Sequence, residues 1–412
     1  MPEIIIGEDG EIVNENFEKF DLTNDDKRYI KSSKIYVLDF VGFIYKENSL
    51  LAIFPKHFFD DVDRHKNQND NIKLLFDTIR FCNGSAEITD QIGHENTFEP
   101  DYPFEPFYTI YEYYIKYGIF KEEQEEVIKG INGKISWKKT IQKSDTIVSR
   151  GNLIYLPIFS KIKNHKYDFL SECMTFVINY TIETFPYFLD MKPIITKKGK
   201  IDFLSNIDYT LRNLYQYKNC IFKDYQKKLI NALIEFFEQY RTNKKGSAIH
   251  FKINYFNLIW EKLVENYLNQ NFVGINEEKK ILEFNNKKEN NIYFNKVNPF
   301  KIDDSIHKHT MQPDHYYEDN DIIYVFDSKY YEELEDLNYK QIAYTLLLGN
   351  SHSRSEKSIY SALLLPGHKE DGYHLALNDD FKQIKDGCNY IIEQYLDVKM
   401  LMEKYINKNK KD

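Results

Sequence analysis

The sequence predicts a chain of three parts: an α+β N-terminal part, a helical middle, and a C-terminal α/β domain with a central mixed sheet. Three observations lead there. Between Lys34 and Phe58, β-branched and aromatic residues fill two arms around the polar turn Lys46-Glu47-Asn48-Ser49, the pattern of a hairpin. From 166 to 240, apolar positions such as Leu211, Leu214, Leu229, Leu233, Phe236 and Phe237 recur at helical spacing. Beyond 256 the composition runs helix, strands, helix, strands, the order of an α/β sandwich. The expected boundaries are 1–160, 161–245 and 246–412.

The elements follow in order. Residues 68–82 and 106–129 carry helical patterns, while ISWKKTI (135–141) and NLIYLPIF (152–159) return to strand composition. FNLIWEKLVENYLNQNF (256–272) is a strongly amphipathic helix, and the charged stretch Asn276 to Asn291 is a solvated connection. Strands are then expected at 281–285, 292–296 and 309–317, followed by the polar turn Glu318-Asp319-Asn320-Asp321 and the apolar strand IIYVFDSKYY (322–331). A helix at 337–348, strands SIYSALLLP (358–366) and YHLALN (373–378), and a closing helix at 380–405 complete the domain.

Composition sets limits on function. A chain of 412 residues, 42% hydrophobic and 16% aromatic, has core material for two or three domains. Its formal charge of −9 is the wrong sign for gripping DNA over a whole surface, so any basic contact is local or supplied by a partner. Part of that acidity is at the start, where Glu3, Glu8, Asp9, Glu11, Glu15, Glu18, Asp21, Asp25 and Asp26 face only Lys19; a solvated, poorly ordered segment is expected. Cys82, Cys173, Cys220 and Cys388 form no CxxC pair, which argues against a zinc site and for a reducing compartment. No apolar run approaches the ~18 residues of a membrane span, and polar Glu8 to Glu11 sit where a signal peptide needs apolar residues. The expected location is cytoplasmic, with no membrane contact.

Pro313-Asp314 precedes Asp327-Ser328-Lys329 by thirteen residues across the predicted hairpin. Side chains at i and i+2 of a strand share a face, so Asp327 and Lys329 point the same way. Asp314 on the neighbouring strand brings a second carboxylate beside the first. Two carboxylates on rigid backbone suit a hard divalent cation, Mg2+ above all, with Mn2+ able to substitute. Such a cation activates water and neutralises phosphate charge, while Lys329 orients the water or stabilises the transition state. Other acid-x-Lys triplets, Glu277-Glu278-Lys279 and Asp397-Val398-Lys399, lack the Pro-Asp partner and the apolar strand. On the 256–272 helix, Glu261 or its rival Glu265 can supply a third carboxylate. His307, His309 and His315 lie close to Asp314 but have no cysteine partners, which favours solvated or core roles. No GxxxxGK[ST], GxSxG or HExxH occurs, so no bound nucleotide of the P-loop type is expected in this chain.

These motifs carry a resemblance. Pro313-Asp314 and Asp327-x-Lys329, preceded by Ile259-Trp260-Glu261 and followed by DLNYKQIAYTLLL (336–348), resemble the PD-(D/E)xK nucleases. More narrowly they look like McrC-type nuclease subunits, with Gln341 in the place of the glutamine on the supporting helix. FVGFI (40–44), FPKHF (54–58) and GKISWKKTI (133–141) are similar to segments of the LlaJI restriction endonuclease family, a McrC-like group. Gln312 departs from the arginine that McrC-type proteins often carry there. The resemblance implies a PD-(D/E)xK-type nuclease domain at 246–412, with Asp314, Asp327, Lys329 and Glu261 catalytic and the three carboxylates metal-binding. It also implies a subunit that cuts double-stranded DNA beside a McrB-like, GTP-hydrolysing AAA+ motor in a restriction system. Residues 1–160 then dock the partner, with Tyr45, Phe54 and Phe58 as anchors and Lys138, Lys139 or Arg150 presenting a cation to its nucleotide. Two rival expectations stand beside it: a non-catalytic regulator that stimulates the partner NTPase and binds DNA, and a phosphodiesterase acting on RNA or small nucleotides.

Overall fold

A computed structural model describes residues 3–59, 64, 66–83, 101–166, 169–189, 191–195, 202–243, 248–286, 291–295, 300–301, 310–331, 334, 337–351, 356–381 and 388–409. The chain is mixed α and β and divides into two compact units, one formed by Met1–Pro100 with Ser247–Asp412 and the other by Asp101–Gly246. The second boundary lies within a residue of the expected 245, and residues 1–100 and 247–412 fall in one unit. The cause is a long-range pairing: strand Ala248–Ile253 lies antiparallel beside Val41–Lys46, which returns the chain to its N-terminal sheet after the helical segment.

In the first unit, Glu3–Glu8 runs parallel to Ser49–Phe54, which forms the expected hairpin with Val41–Lys46. Glu47 and Asn48 both adopt positive φ, the tight two-residue turn whose twist matches the strands. At Gly42 a Cβ would meet the Phe251 carbonyl oxygen at 2.3 Å, so only glycine lets the returning strand approach. Phe17, Phe20, Leu38, Phe40, Ile44, Leu51 and Ile53 form the core beneath this sheet. The acidic start is folded: Glu3–Glu8 is a strand, and Asp26 is fully buried in an ion pair with Lys252.

The same unit holds a five-stranded mixed sheet in the order His315–Glu318, Ile322–Ser328, Ser358–Pro366, Tyr390–Leu396, Gly372–Ala376. The three middle strands are parallel and both edges antiparallel. Helix Tyr339–Gly349 connects two of the parallel strands. Helix Phe256–Asn271 buries Phe256, Ile259, Trp260, Leu263 and Val264, and the Trp260 indole N–H donates to the Leu364 carbonyl at 3.3 Å. The expected helix over 380–405 is corrected: 390–396 is a buried strand, and helix Val398–Asn409 begins only after Asp397, whose carboxylate caps it at the Met400 N–H. His307 and His309 lie outside the described residues.

The second unit contains helices Phe104–Tyr117, Phe169–Thr184, Ile207–Lys218 and Asp224–Asn243, in line with the helical spacing. The expected helix over 106–129 stops at Gly118, and Glu122–Lys129 is a strand paired with Phe159–Lys166. Residues 135–141 differ as well, because Trp137–Lys143 is a short helix. Asp145–Ser149 and Asn152–Leu156 form a hairpin turned by Arg150-Gly151, both at positive φ. No described helix is long and apolar enough to cross a membrane.

Candidate active site

Strand Ile322–Ser328 places the chemistry by its alternation. Ile323 and Val325 pack toward Leu348 of helix Tyr339–Gly349, while Tyr324 and Phe326 meet Phe272 and Phe294 on the opposite face. Asp327 shares the parity of Ile323 and Val325, and so it faces that helix. Its carboxylate is fully buried. A buried carboxylate must be paired, and two ammonium groups meet it: Lys329 on Oδ2 and Lys340, the second residue of the helix, on Oδ1 at 3.3 Å. The backbone beyond the strand is pinned where the Lys329 N–H donates to the Leu364 carbonyl at 2.9 Å.

Asp314 enters from the edge strand side. Its Oδ2 accepts the Ser328 N–H at 3.0 Å, which ties the Pro-Asp corner to the strand that carries Asp327. Burial pushes the Asp314 carboxyl up to about 8, with the hydrogen bond to Asp327 and the charges of Asp327 and Glu261 adding to the rise. Burial opposes ionisation of Asp327 too, but the hydrogen bond from Asp314 and the ammonium groups of Lys329 and Lys340 hold it below the usual carboxylate range. Without a cation, these influences favour a proton on Asp314 and the anion on Asp327. Two carboxylates in this contact form an oxygen donor set of the kind a hard divalent cation takes.

The structure thus brings together Asp314, Asp327 and Lys329. Glu261 is on the buried Phe256–Asn271 helix, where its charge reaches Asp314; Glu265 has no such effect among the principal influences on that carboxyl. Among the described residues, no group of three or more His, Cys, Asp or Glu side chains converges in metal-binding geometry, and the charge of Glu261 acts on the Asp314–Asp327 pair through Asp314. Gln341 is fully buried and its side-chain amide donates to the Val325 carbonyl at 2.7 Å, a brace between helix and strand. His315 shares a 2.7 Å hydrogen bond with Ser328 Oγ and acts from the far face. Lys340 is the residue that the sequence reading missed; its only signal was a lysine beside Gln341 at the start of a helix.

Arg150, Lys138 and Lys139 belong to the second unit. Arg150 is exposed at its hairpin tip, and the strands behind it expose Ile147 (48%), Val148 (71%), Leu153 (61%) and Leu156 (51%). That apolar hairpin also escaped the sequence reading, although TIVSRGNLIYL carries a tight turn between two apolar arms. Phe54 and Phe58, expected as interface anchors, are core residues at 0% and 3% exposure.

With this geometry in hand, the family model of the LlaJI restriction endonuclease matches residues 40–344. The chain belongs to the LlaJI restriction endonuclease family. The match spans the hairpin, the helical unit, Asp314, Asp327, Lys329 and Gln341 of this LlaJI-family chain. Among solved structures it is similar to a chain in a half-complex from the tetradecameric assembly of Thermococcus gammatolerans McrB AAA+ hexamers with bound McrC, at 14% identity, a TM-score of 0.41 and 99% coverage of both chains. No curated protein matches it.

Proposed function

We propose that this LlaJI-family protein is the DNA-cutting subunit of a McrBC-like restriction system, a Mg2+-dependent endonuclease of the PD-(D/E)xK type that works with a GTP-hydrolysing AAA+ partner. One observation carries the reading: Asp327, ion-paired with Lys329 and Lys340, and Asp314, tied to the same strand through the Ser328 N–H, converge at the end of a mixed sheet, inside a restriction endonuclease family. Asp314 and Asp327 would hold the cation, with Glu261 adding negative charge from its helix. When bound, the cation lowers the pKa of water and neutralises charge on the scissile phosphate. Lys329 stands beside the carboxylates as a fixed cation, its backbone held by Leu364, and stabilises charge that builds during phosphoryl transfer. Lys340 neutralises Asp327 and can swing toward the phosphate, since its side chain is about half exposed at 47%.

The partner reading is supported by the exposed apolar hairpin with Arg150 at its tip, by the acidic net charge and by the McrC-like order of motifs. An exposed apolar patch with polar surroundings is one mark of a protein interface. A regulator without catalysis is the second reading; its support is that two lysines already satisfy Asp327. Incubating the purified chain with Mg2+ and plasmid, with and without its genomic neighbour and GTP, separates them. Cutting that needs the neighbour supports the nuclease subunit, and GTP turnover without cutting selects the regulator.

A further inference from the structure

The second unit contains a cleft of about 780 Å³ between the end of helix Phe104–Tyr117, the residues that follow Gly118, and the turn joining helices Ile207–Lys218 and Asp224–Asn243. It opens because the first helix ends at Gly118, which has positive φ and nothing within 4 Å of its Cβ direction. Tyr113, Tyr117 and Tyr225 form a run of rings: Tyr117 stacks on Tyr225 with centroids 4.7 Å apart, and Tyr113 stacks on Tyr225 at 6.1 Å. Tyr113 is buried as the floor, whereas Tyr117 and Tyr225 expose 47% and 36% of their surface and Phe222 exposes 80%. Among the described residues, Lys121 and Lys223 also line the cleft. Lys223 Nζ is 6.0 Å from the Tyr225 ring, and Lys116 Nζ is 5.4 Å from the Tyr117 ring.

Partly exposed tyrosine rings beside lysines match a ligand that carries both π-faces and negative charge. A single-stranded nucleic acid has this chemistry, with bases stacking on rings and phosphates meeting lysines. Duplex DNA hides its base faces inside the helix, and an acidic peptide supplies charge without a regular series of rings. We propose that this cleft binds single-stranded nucleic acid, with bases stacked on Tyr117 and Tyr225 and phosphates held by Lys121 and Lys223. The site is separate from Asp314 and Asp327 and does not depend on cleavage, so it stands or falls independently of the nuclease reading.

The test uses the full chain carrying Asp327→Ala, so that no cutting intervenes, with fluorescein-labelled oligothymidine and its duplex as probes in fluorescence anisotropy. The expected result is preference for the single strand and roughly tenfold weaker binding in Tyr117→Ala/Tyr225→Ala, the scale of lost base stacking. Tyr117→Phe/Tyr225→Phe keeps the rings and should bind as the parent does. Lys121→Gln/Lys223→Gln touches no core residue and should flatten the slope of log K against log salt by about 1.4, at ~0.7 per single-strand phosphate. Where the alanine pair melts early, the glutamine pair alone decides. Oligothymidine binding unchanged in the glutamine pair, equal loss in the phenylalanine and alanine pairs, stronger binding of duplex, or of an acidic peptide in competition, would each overturn the proposal.

Discussion

Asp327 shows how much a single residue reveals. In sequence it interrupts an apolar strand, and a charge there demands compensation; the structure supplies it through Lys329, two residues along on the same face. Lys340 was invisible because the link to Asp327 depends on how the chain between strand and helix turns, which no local pattern encodes. Asp314 provides a measurable consequence. Burial first, and then Asp327, push its carboxyl up to about 8 from the ordinary 3.8. For a group raised on folding, the associated stability is fully present below the unfolded value and is lost as pH rises through the folded one. In metal-free protein, the wild type should therefore lose stability from about pH 4 to pH 8 relative to Asp314→Asn, which cannot titrate. Melting temperatures of the two, recorded in EDTA across that window, should diverge with rising pH and converge again when Mg2+ is added to the wild type. A difference that stays constant with pH rejects a proton on Asp314.

Among elements, strands bounded by clear turns were legible even where both faces are covered, as in Ser49–Phe54, Ile322–Ser328 and Ser358–Pro366. The Val41–Lys46 and Ser49–Phe54 hairpin and the amphipathic Phe256–Asn271 helix follow their patterns. YIIEQYL at 390–396 was misread, since Ile391, Ile392, Tyr395 and Leu396 fit helical spacing as well as they fit a central strand covered on both faces. Position within the sheet decided the outcome. Helix Tyr339–Gly349 holds its strand through Gln341, and Gln341→Ala removes the donor to the Val325 carbonyl inside the core. The expected cost is about 1–3 kcal/mol, the range for orphaning a buried polar group, read as a lower midpoint in urea unfolding. A midpoint equal to that of the wild type would make the brace incidental. Tyr330 links the end of the Asp327 strand to the N-terminal sheet, because its hydroxyl accepts the Lys56 N–H at 2.9 Å. The expected loss in Tyr330→Phe is of similar size, with a greater effect on cleavage rate than on DNA affinity.

At the scale of the whole molecule, the sequence disclosed three compositional zones but not that the helical unit is inserted between two halves of one compact unit. The pairing of 248–253 with 41–46 spans about two hundred residues, and periodicity has no reach over that distance. The hairpin around Arg150 was only half legible: Arg150 was named and 152–159 was read as strand, whereas its pairing with Asp145–Ser149 was not. Charge reversal at Lys138, Lys139 and Arg150 should reduce the GTP turnover of the AAA+ partner at least tenfold without changing its GTP affinity, as expected for a cation supplied in trans. Unchanged turnover in a coupled phosphate-release assay would remove that role and leave the nuclease untouched. The central claim, that Asp314, Asp327 and Lys329 form a phosphodiester-cutting site, is tested most directly by plasmid cleavage with Mg2+, GTP and the partner, comparing wild type with Asp327→Ala. The account predicts a loss of roughly 10³-fold or more, the scale of removing a group that acts on the reacting atoms, in a variant that still folds and still stimulates the partner. Cleavage by Asp327→Ala at the wild-type rate would contradict it.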